Sequence, residues 1–128
     1  MTDPDRRVGV VDDDESVRKA LGRLLRSSGF GVAAFSSAED FLRYDDRHPV
    51  GCLVLDIRMP GIGGFGLHDR LTAAGFRIPT IFITADDRDE VREHVRKSSA
   101  VAYFVKPFDE EGLLEAINAA LRPNVASE

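Results

Sequence analysis

Five short apolar runs punctuate the chain, at about residues 7–11, 31–35, 52–56, 79–84 and 101–105. Each is rich in Val, Ile, Leu or Phe, the pattern of strands buried on both faces. Helix-like segments separate and follow them. Val17, Leu21, Leu24 and Leu25 recur at helical spacing, and Ser28-Gly29 stops that helix. Ser36, with Glu39 three positions on, reads as a capping box opening a second helix that buries Phe41 and Leu42. Asp45 to Pro49 is a polar connection. Pro60-Gly61-Ile62-Gly63-Gly64 reads as a loop, after which Leu67, Leu71 and Ala74 mark a third helix. Asp87 with Glu90 points to a cap for a fourth helix, with Val91 and Val95 turned inward. Asp109, followed by Glu110 and Glu111, suits the start of a fifth, because carboxylates complement the positive end of the helix dipole. Leu113, Leu114, Ile117 and Leu121 supply its apolar stripe, and Pro123 closes it.

Strict alternation of strand and helix with short loops means βαβ crossovers and a parallel sheet. The expected architecture is one α/β domain over 1–128, with a core of about 6–121 and a short polar tail. In such a sheet, ligands bind beyond the carboxyl ends of the strands, at a switch point. That end would gather Asp12, Asp13, Asp56, Thr84 and Lys106, which are far apart along the chain.

These residues carry the chemistry. Asp12, Asp13 and Asp14 follow the first apolar run directly. Like charges packed at a strand end repel, and a divalent metal is the simplest neutraliser. Asp14 is placed to cap the first helix, which leaves Asp12 and Asp13 for another role. Asp56 ends the third run and is followed by the tight turn Ile57-Arg58-Met59-Pro60-Gly61, so it has no helix to cap. Thr84 ends the fourth run beside the small Ala85, where its hydroxyl can meet an oxyanion. Lys106 ends the fifth run as a fixed cation, aimed inward by a cis peptide to Pro107; cis bonds are largely confined to proline. Hard oxygen ligands beside one cation and one hydroxyl favour Mg²⁺, which is commonly held by one or two carboxylates plus water. An Asp carboxylate in that setting can attack phosphorus and form an aspartyl phosphate.

Composition narrows the field further. A net charge of −5 argues against nucleic-acid binding by this domain, since that affinity rests largely on phosphate neutralisation. No apolar run is long enough for a transmembrane helix, and Met-Thr-Asp-Pro-Asp-Arg-Arg at the start lacks a signal-peptide core. The single cysteine, Cys52, fits a reducing cytoplasm and a buried apolar role. His48, His68 and His94 are scattered and expected to be exposed, without a metal or phosphotransfer role.

Four motifs in order give the chain its family likeness. They are Val10-Val11-Asp12-Asp13-Asp14, Val54-Leu55-Asp56-Ile57-Arg58-Met59-Pro60-Gly61, Phe82-Ile83-Thr84-Ala85, and Tyr103-Phe104-Val105-Lys106-Pro107-Phe108. Over about residues 6–121 the chain resembles a response-regulator receiver domain of two-component signalling, most of all the receivers fused to helix-turn-helix outputs. The resemblance implies a flavodoxin-like (βα)5 fold with strand order 2-1-3-4-5. It implies Asp56 as phosphoacceptor, with Mg²⁺ held by Asp13 directly, Asp12 largely through water, Asp56, and the backbone carbonyl of Arg58. Thr84, Ala85 and Lys106 would bind the phosphoryl oxygens, and Tyr103 would be an aromatic switch packing inward as Thr84 moves. A sensor histidine kinase would be the partner, no independent substrate turnover is expected, and phosphorylation would promote a homodimer through the fourth helix, fifth strand and fifth helix. The output would be transcription through a fused or partner domain, or, for a stand-alone receiver, protein–protein interaction or phosphate relay.

The chain departs from the family pattern in places. Ser98-Ser99-Ala100 stands where many relatives carry Ala-Gly-Ala; Ser99 cannot freely take a left-handed terminus, so the fourth helix is expected to end differently from theirs or to be more mobile. Gly63, Gly64 and Gly66 are expected to loosen the lip of the site. Arg58 is placed either to reach over the phosphoryl group or to be solvated. A flavin-binding module would need a phosphate loop where the aspartates stand, and an Asp-nucleophile phosphatase commonly has a second Asp at the position of Arg58. The complete set of Asp12, Asp13, Asp56, Thr84 and Lys106 argues against a receiver-like adaptor that no longer accepts phosphate.

Overall fold

The computed structural model describes residues 7–44 and 50–122. The polar connection at 45–49, His48, the closing Pro123 and the tail lie outside those residues. The strands are β1 (Arg7–Val11), β2 (Gly31–Phe35), β3 (Cys52–Asp56), β4 (Thr80–Thr84) and β5 (Ala102–Val105). The helices are α1 (Glu15–Ser27), α2 (Ala38–Leu42), α3 (Gly63–Ala73), α4 (Asp89–Lys97) and α5 (Glu110–Leu121). All four strand pairings are parallel, and the order is β2-β1-β3-β4-β5, as expected for this doubly wound fold.

Alternate strand residues point to opposite faces of a sheet, and here each set finds its own helices. Val8, Val10, Cys52, Val54, Ile81 and Ile83 pack with Leu21 and Leu25 of α1 and Leu113 and Ile117 of α5. Val11, Leu53, Leu55 and Phe82 pack with Phe41 of α2, Leu67 and Leu71 of α3, and Val91 of α4. β3 and β4 are buried throughout, whereas β2 and β5 are mostly half-buried because they form the edges. Cys52 is fully buried, and burial pushes its thiol up to about 12, which leaves it an inert apolar residue.

Helix ends decide how the strand-end residues are presented. Asp14 caps α1 by accepting from the Ser16 amide, and Gly29, at φ 93°, turns the chain out of it. Asp109 likewise caps α5, accepting from the Gly112 amide.

Other expectations need correction. The cap of α2 is Ser37, which accepts from the Asp40 amide, while Ser36 donates to the Asp40 carboxylate. Phe41 is buried, but Leu42 is 40% exposed at the end of that short helix. Asp87 does not cap α4, which starts after Arg88 without a side-chain cap; Asp87 is bound instead to Arg92 at 2.8 Å. Gly63 and Gly64 are not loop residues but the first turn of α3. α4 ends on Ser98 in extended backbone (φ −83°), and no described non-glycine residue has positive φ, as the serines there led one to expect. None of the described helices is long and apolar enough to cross a membrane.

Candidate functional site

The apolar run of β1 buries everything up to Asp12, whose carboxylate ends fully buried at the carboxyl edge of the sheet. Burying a carboxylate is costly unless it is paired and hydrogen-bonded. Asp12 meets both conditions: its Oδ1 accepts from the Asp14 amide at 2.9 Å, and its Oδ2 accepts from Lys106 Nζ at 2.9 Å. Its backbone carbonyl accepts from Arg18 at 2.7 Å. Asp13 is exposed and Asp14 is occupied as a cap, so the three consecutive acids have three different surroundings.

Asp56 closes the neighbouring strand and is 4% exposed. Lys106 Nζ stands 3.7 Å from its Oδ1. One carboxylate oxygen from each of Asp12, Asp13 and Asp56 lies within 4.8 Å of the others. Burial pushes the Asp56 carboxyl up to about 7; the Asp12 charge adds to this, and Lys106 with a hydrogen bond from the Arg58 backbone offsets only part of it. Burial acts to lower the Lys106 ammonium, but the hydrogen bond and charge of Asp12, with Asp56 behind it, hold it above its ordinary value. When ionised, three carboxylates against one ammonium leave an excess of two negative charges. Hard oxygen donors with that excess suit a small divalent cation such as Mg²⁺.

Lys106 is held in place by its strand: its amide donates to the Thr84 carbonyl at 2.8 Å, and its bond to Pro107 is cis, as the sequence implied. Changing Lys106 to Met would leave Asp12 buried with only the Asp14 amide on its carboxylate. The expected loss is about 1–2 kcal/mol of stability at pH 7 in urea titration, less than for a fully buried pair because Lys106 is partly exposed.

Thr84 is fully buried and its Oγ1 accepts from the Asp86 amide at 3.0 Å. Ala85, beside it, is exposed. The Tyr103 ring is half-buried against the α2, α3 and α4 side of the sheet, and its hydroxyl is 3.4 Å from the Asp86 carbonyl and 3.3 Å from the Asp87 carboxylate. Thr84 and Tyr103 are therefore hydrogen-bonded to two backbone groups of one residue.

That residue, Asp86, was not singled out from sequence. Its carboxylate accepts from the Arg58 guanidinium, which is exposed to solvent while paired with it, and from Arg88 at 2.8 Å. An acid two residues beyond a strand reads as an ordinary turn former; only its place opposite Arg58 gives it more meaning.

The loop after β3 closes tightly on the strand end. The Gly64 amide donates to the Ile57 carbonyl at 3.2 Å, and a Cβ on Gly64 would fall 2.3 Å from the Asp56 carbonyl oxygen. The glycines at the start of α3 therefore permit close approach rather than loosen the lip.

The histidines stand apart from this cluster. His68, expected on the surface, is 7% exposed; it lies edge-on to Phe82, with Nε2 3.3 Å from Ser99 Oγ, and burial holds it below its usual value. His94 is exposed and stacks on Phe65 at 3.6 Å. A cleft of about 570 Å³ lies between the loop after β3 and α4, lined by Met59, Ile62, Phe65, Val91 and His94, and it includes none of the three aspartates.

Comparison with known proteins agrees with this arrangement. Residues 8–118 match the family model described as the response regulator receiver domain. The chain is 43% identical over 122 residues to the response regulator protein TodT of Pseudomonas putida, covering 95% of this chain and 54% of TodT. It is 41% identical to the transcriptional regulatory protein TdiR of Thauera aromatica, covering 91% of this chain and 52% of TdiR. It thus spans about half the length of these curated relatives. The crystal structure of FixJ-N superposes with a TM-score of 0.83 and 37% identity, covering 94% of this chain and 95% of that one. A shared sequence model, a shared strand order and the acidic strand-end cluster lead to one conclusion: the chain belongs to the response regulator receiver domain family of two-component signalling.

Proposed function

We propose that this domain accepts a phosphoryl group on Asp56 from a sensor histidine kinase and passes the resulting change to a transcriptional output. The observation that carries the reading is a buried strand-end carboxylate whose oxygens converge with those of Asp12 and Asp13, 3.7 Å from a lysine ammonium. An Asp56 oxygen attacks phosphorus, the bond from phosphorus to the donor nitrogen breaks, and the imidazole leaves with that electron pair. Asp12, Asp13, Asp56 and the Arg58 carbonyl would hold Mg²⁺. When bound, the cation supplies positive charge that favours the ionised nucleophile and offsets charge on the transferring group.

The remaining roles fall to the chain itself. Lys106 neutralises one phosphoryl oxygen from its fixed position beside Asp12. Thr84, with the Ala85 amide, gives another oxygen a donor once the Thr84 hydroxyl turns from the Asp86 amide. That turn alters the Asp86 backbone on which the Tyr103 hydroxyl rests, and so reaches β5 and α4. A switch of this kind typically carries coupling of about 1–3 kcal/mol. The readout surface is α4, β5 and α5, with dimerisation on phosphorylation. The domain turns over no substrate independently, and its place is the cytoplasm, where histidine kinases present their phosphoryl groups.

The test is incubation with a small phosphoramidate donor, read by intact mass. A single hydroxylamine-labile phosphoryl adduct is expected with Mg²⁺, and none with excess chelator. Equal uptake in chelator would remove the metal from the account. Sedimentation with beryllofluoride and Mg²⁺ then checks the output, with a shift toward dimer expected.

A further inference from the structure

The loop from Ile57 to Ile62 carries the Arg58 carbonyl, and it is gripped from outside by one side chain. Glu39 of α2 accepts a hydrogen bond from the Ile62 amide through Oε2 at 3.2 Å. Ile62 is the N-cap position of α3, a helix with no side-chain cap of its own and no acid in its first turn. The Glu39 carboxylate also packs against Gly61. A Cβ there would fall 2.5 Å from Oε2 and 3.1 Å from Cδ, so it would push the carboxylate aside, and at φ +83° Gly61 itself disfavours a side chain. Glu39 is not needed to start its own helix, since Ser37 does that. Its charge instead sits at the positive end of α3, which it complements.

This grip bears on the site through short links. Gly64, two residues after Ile62, is bonded to the Ile57 carbonyl and abuts the Asp56 carbonyl. Fixing Ile62 therefore fixes both ends of the turn in which Arg58 sits, while Glu39 itself is not one of the three converging carboxylates. We propose that Glu39 is a positioning residue for the cation site: by holding the Gly61–Ile62 peptide it fixes the turn that carries Arg58, whose amide bonds Asp56 and whose carbonyl is assigned above to the cation. The inference rests on the cation role given to that cluster above.

The test compares wild type, Glu39→Ala and Glu39→Gln, first without any phosphodonor. Mg²⁺ is titrated alone, following the Gly61 amide by NMR and the rise in melting temperature. Groups that orient metal ligands from behind typically change affinity 10–100-fold when lost. Because Arg58 offers only one ligand of several, Glu39→Ala is expected to raise the half-saturating Mg²⁺ concentration about tenfold. Glu39→Gln keeps an acceptor oxygen and should stay within about threefold of wild type. In donor assays the alanine variant should need more Mg²⁺ but approach the wild-type rate at saturation. A lower melting temperature with an unchanged Mg²⁺ midpoint would make Glu39 merely structural and overturn the proposal. A glutamine variant as impaired as alanine would overturn the hydrogen-bond mechanism. If wild type itself shows no Mg²⁺ response, the cation reading fails first, and the role of Glu39 fails with it.

Discussion

Replacing Gly64 with alanine is expected to destabilise the domain by about 3 kcal/mol and to abolish most phosphoryl uptake. The added Cβ would lie 2.3 Å from the Asp56 carbonyl oxygen, 3.0 Å from Ile57 Cα and 3.1 Å from the Asp56 carbonyl carbon. All three are backbone atoms of β3 and its exit, so no side chain can rotate away. Relief requires α3 to lift from the strand end, which would move the Ile57–Ile62 turn from Asp56. Two effects act the other way. Alanine is the better helix former by about 1 kcal/mol, and it also restricts the unfolded chain, by about 0.4–1 kcal/mol. A contact this short outweighs both. Gly66→Ala is the control, because its Cβ would meet chiefly the Ile62 side chain, at 3.0 Å, within the same helix. Urea titration of both variants decides the matter, and a Gly64→Ala protein as stable as wild type would mean α3 does not sit on β3 this closely.

Asp56→Asn is expected to stabilise the metal-free domain, by an amount that depends on pH. In the folded state the Asp56 carboxyl is raised from 3.8 to about 7. Well below pH 3.8 the group is protonated in both states, and the variant should approach wild type as that range is neared. Between about 4 and 7 the unfolded chain ionises while the folded one stays protonated, so wild-type stability falls as pH rises. Above 7 both are ionised and the full cost of the buried charge is present. The shift would be worth about 4 kcal/mol at most, and local relaxation makes a gain of about 2 kcal/mol at pH 8 the expected result. Mg²⁺ should narrow the gap by stabilising wild type more than the variant. Chemical denaturation at pH 4, 6 and 8, with and without Mg²⁺, measures this directly. A pH-independent difference would show that the Asp56 charge is already compensated.

The strands and their roles were legible because apolar runs buried on two faces look alike wherever they occur, and a carboxylate at a strand end stands out against them. Helix starts were less legible. Ser36 and Ser37 are chemically identical, and only the point at which the chain leaves β2 makes Ser37 the cap. Asp87 looked like a cap, but Arg92, one turn further on, holds its carboxylate instead. Gly63 and Gly64 read as loop because glycine is a poor helix former, whereas the helix begins there with Gly63 at positive φ and with no room at Gly64 for a side chain against the end of β3. His68 lies beside the Leu67–Leu71 stripe, and its burial comes from Phe82 across the interface. Asp86 passed unnoticed, and Glu39 read as the acid of a capping box, for the same reason. Each acts on a group more than twenty residues away, Arg58 and Ile62, so no local pattern could point to it.

The central claim is that Asp56 is the nucleophile, with Asp12 and Asp13 serving the cation beside it. The most direct measurement is peptide mapping of the phosphoramidate-treated protein after borohydride reduction, alongside Asp56→Asn treated in the same way. The account predicts one labelled position, Asp56, in wild type, and no uptake in the variant. Label at Asp12 or Asp13, or undiminished uptake by Asp56→Asn, would contradict it.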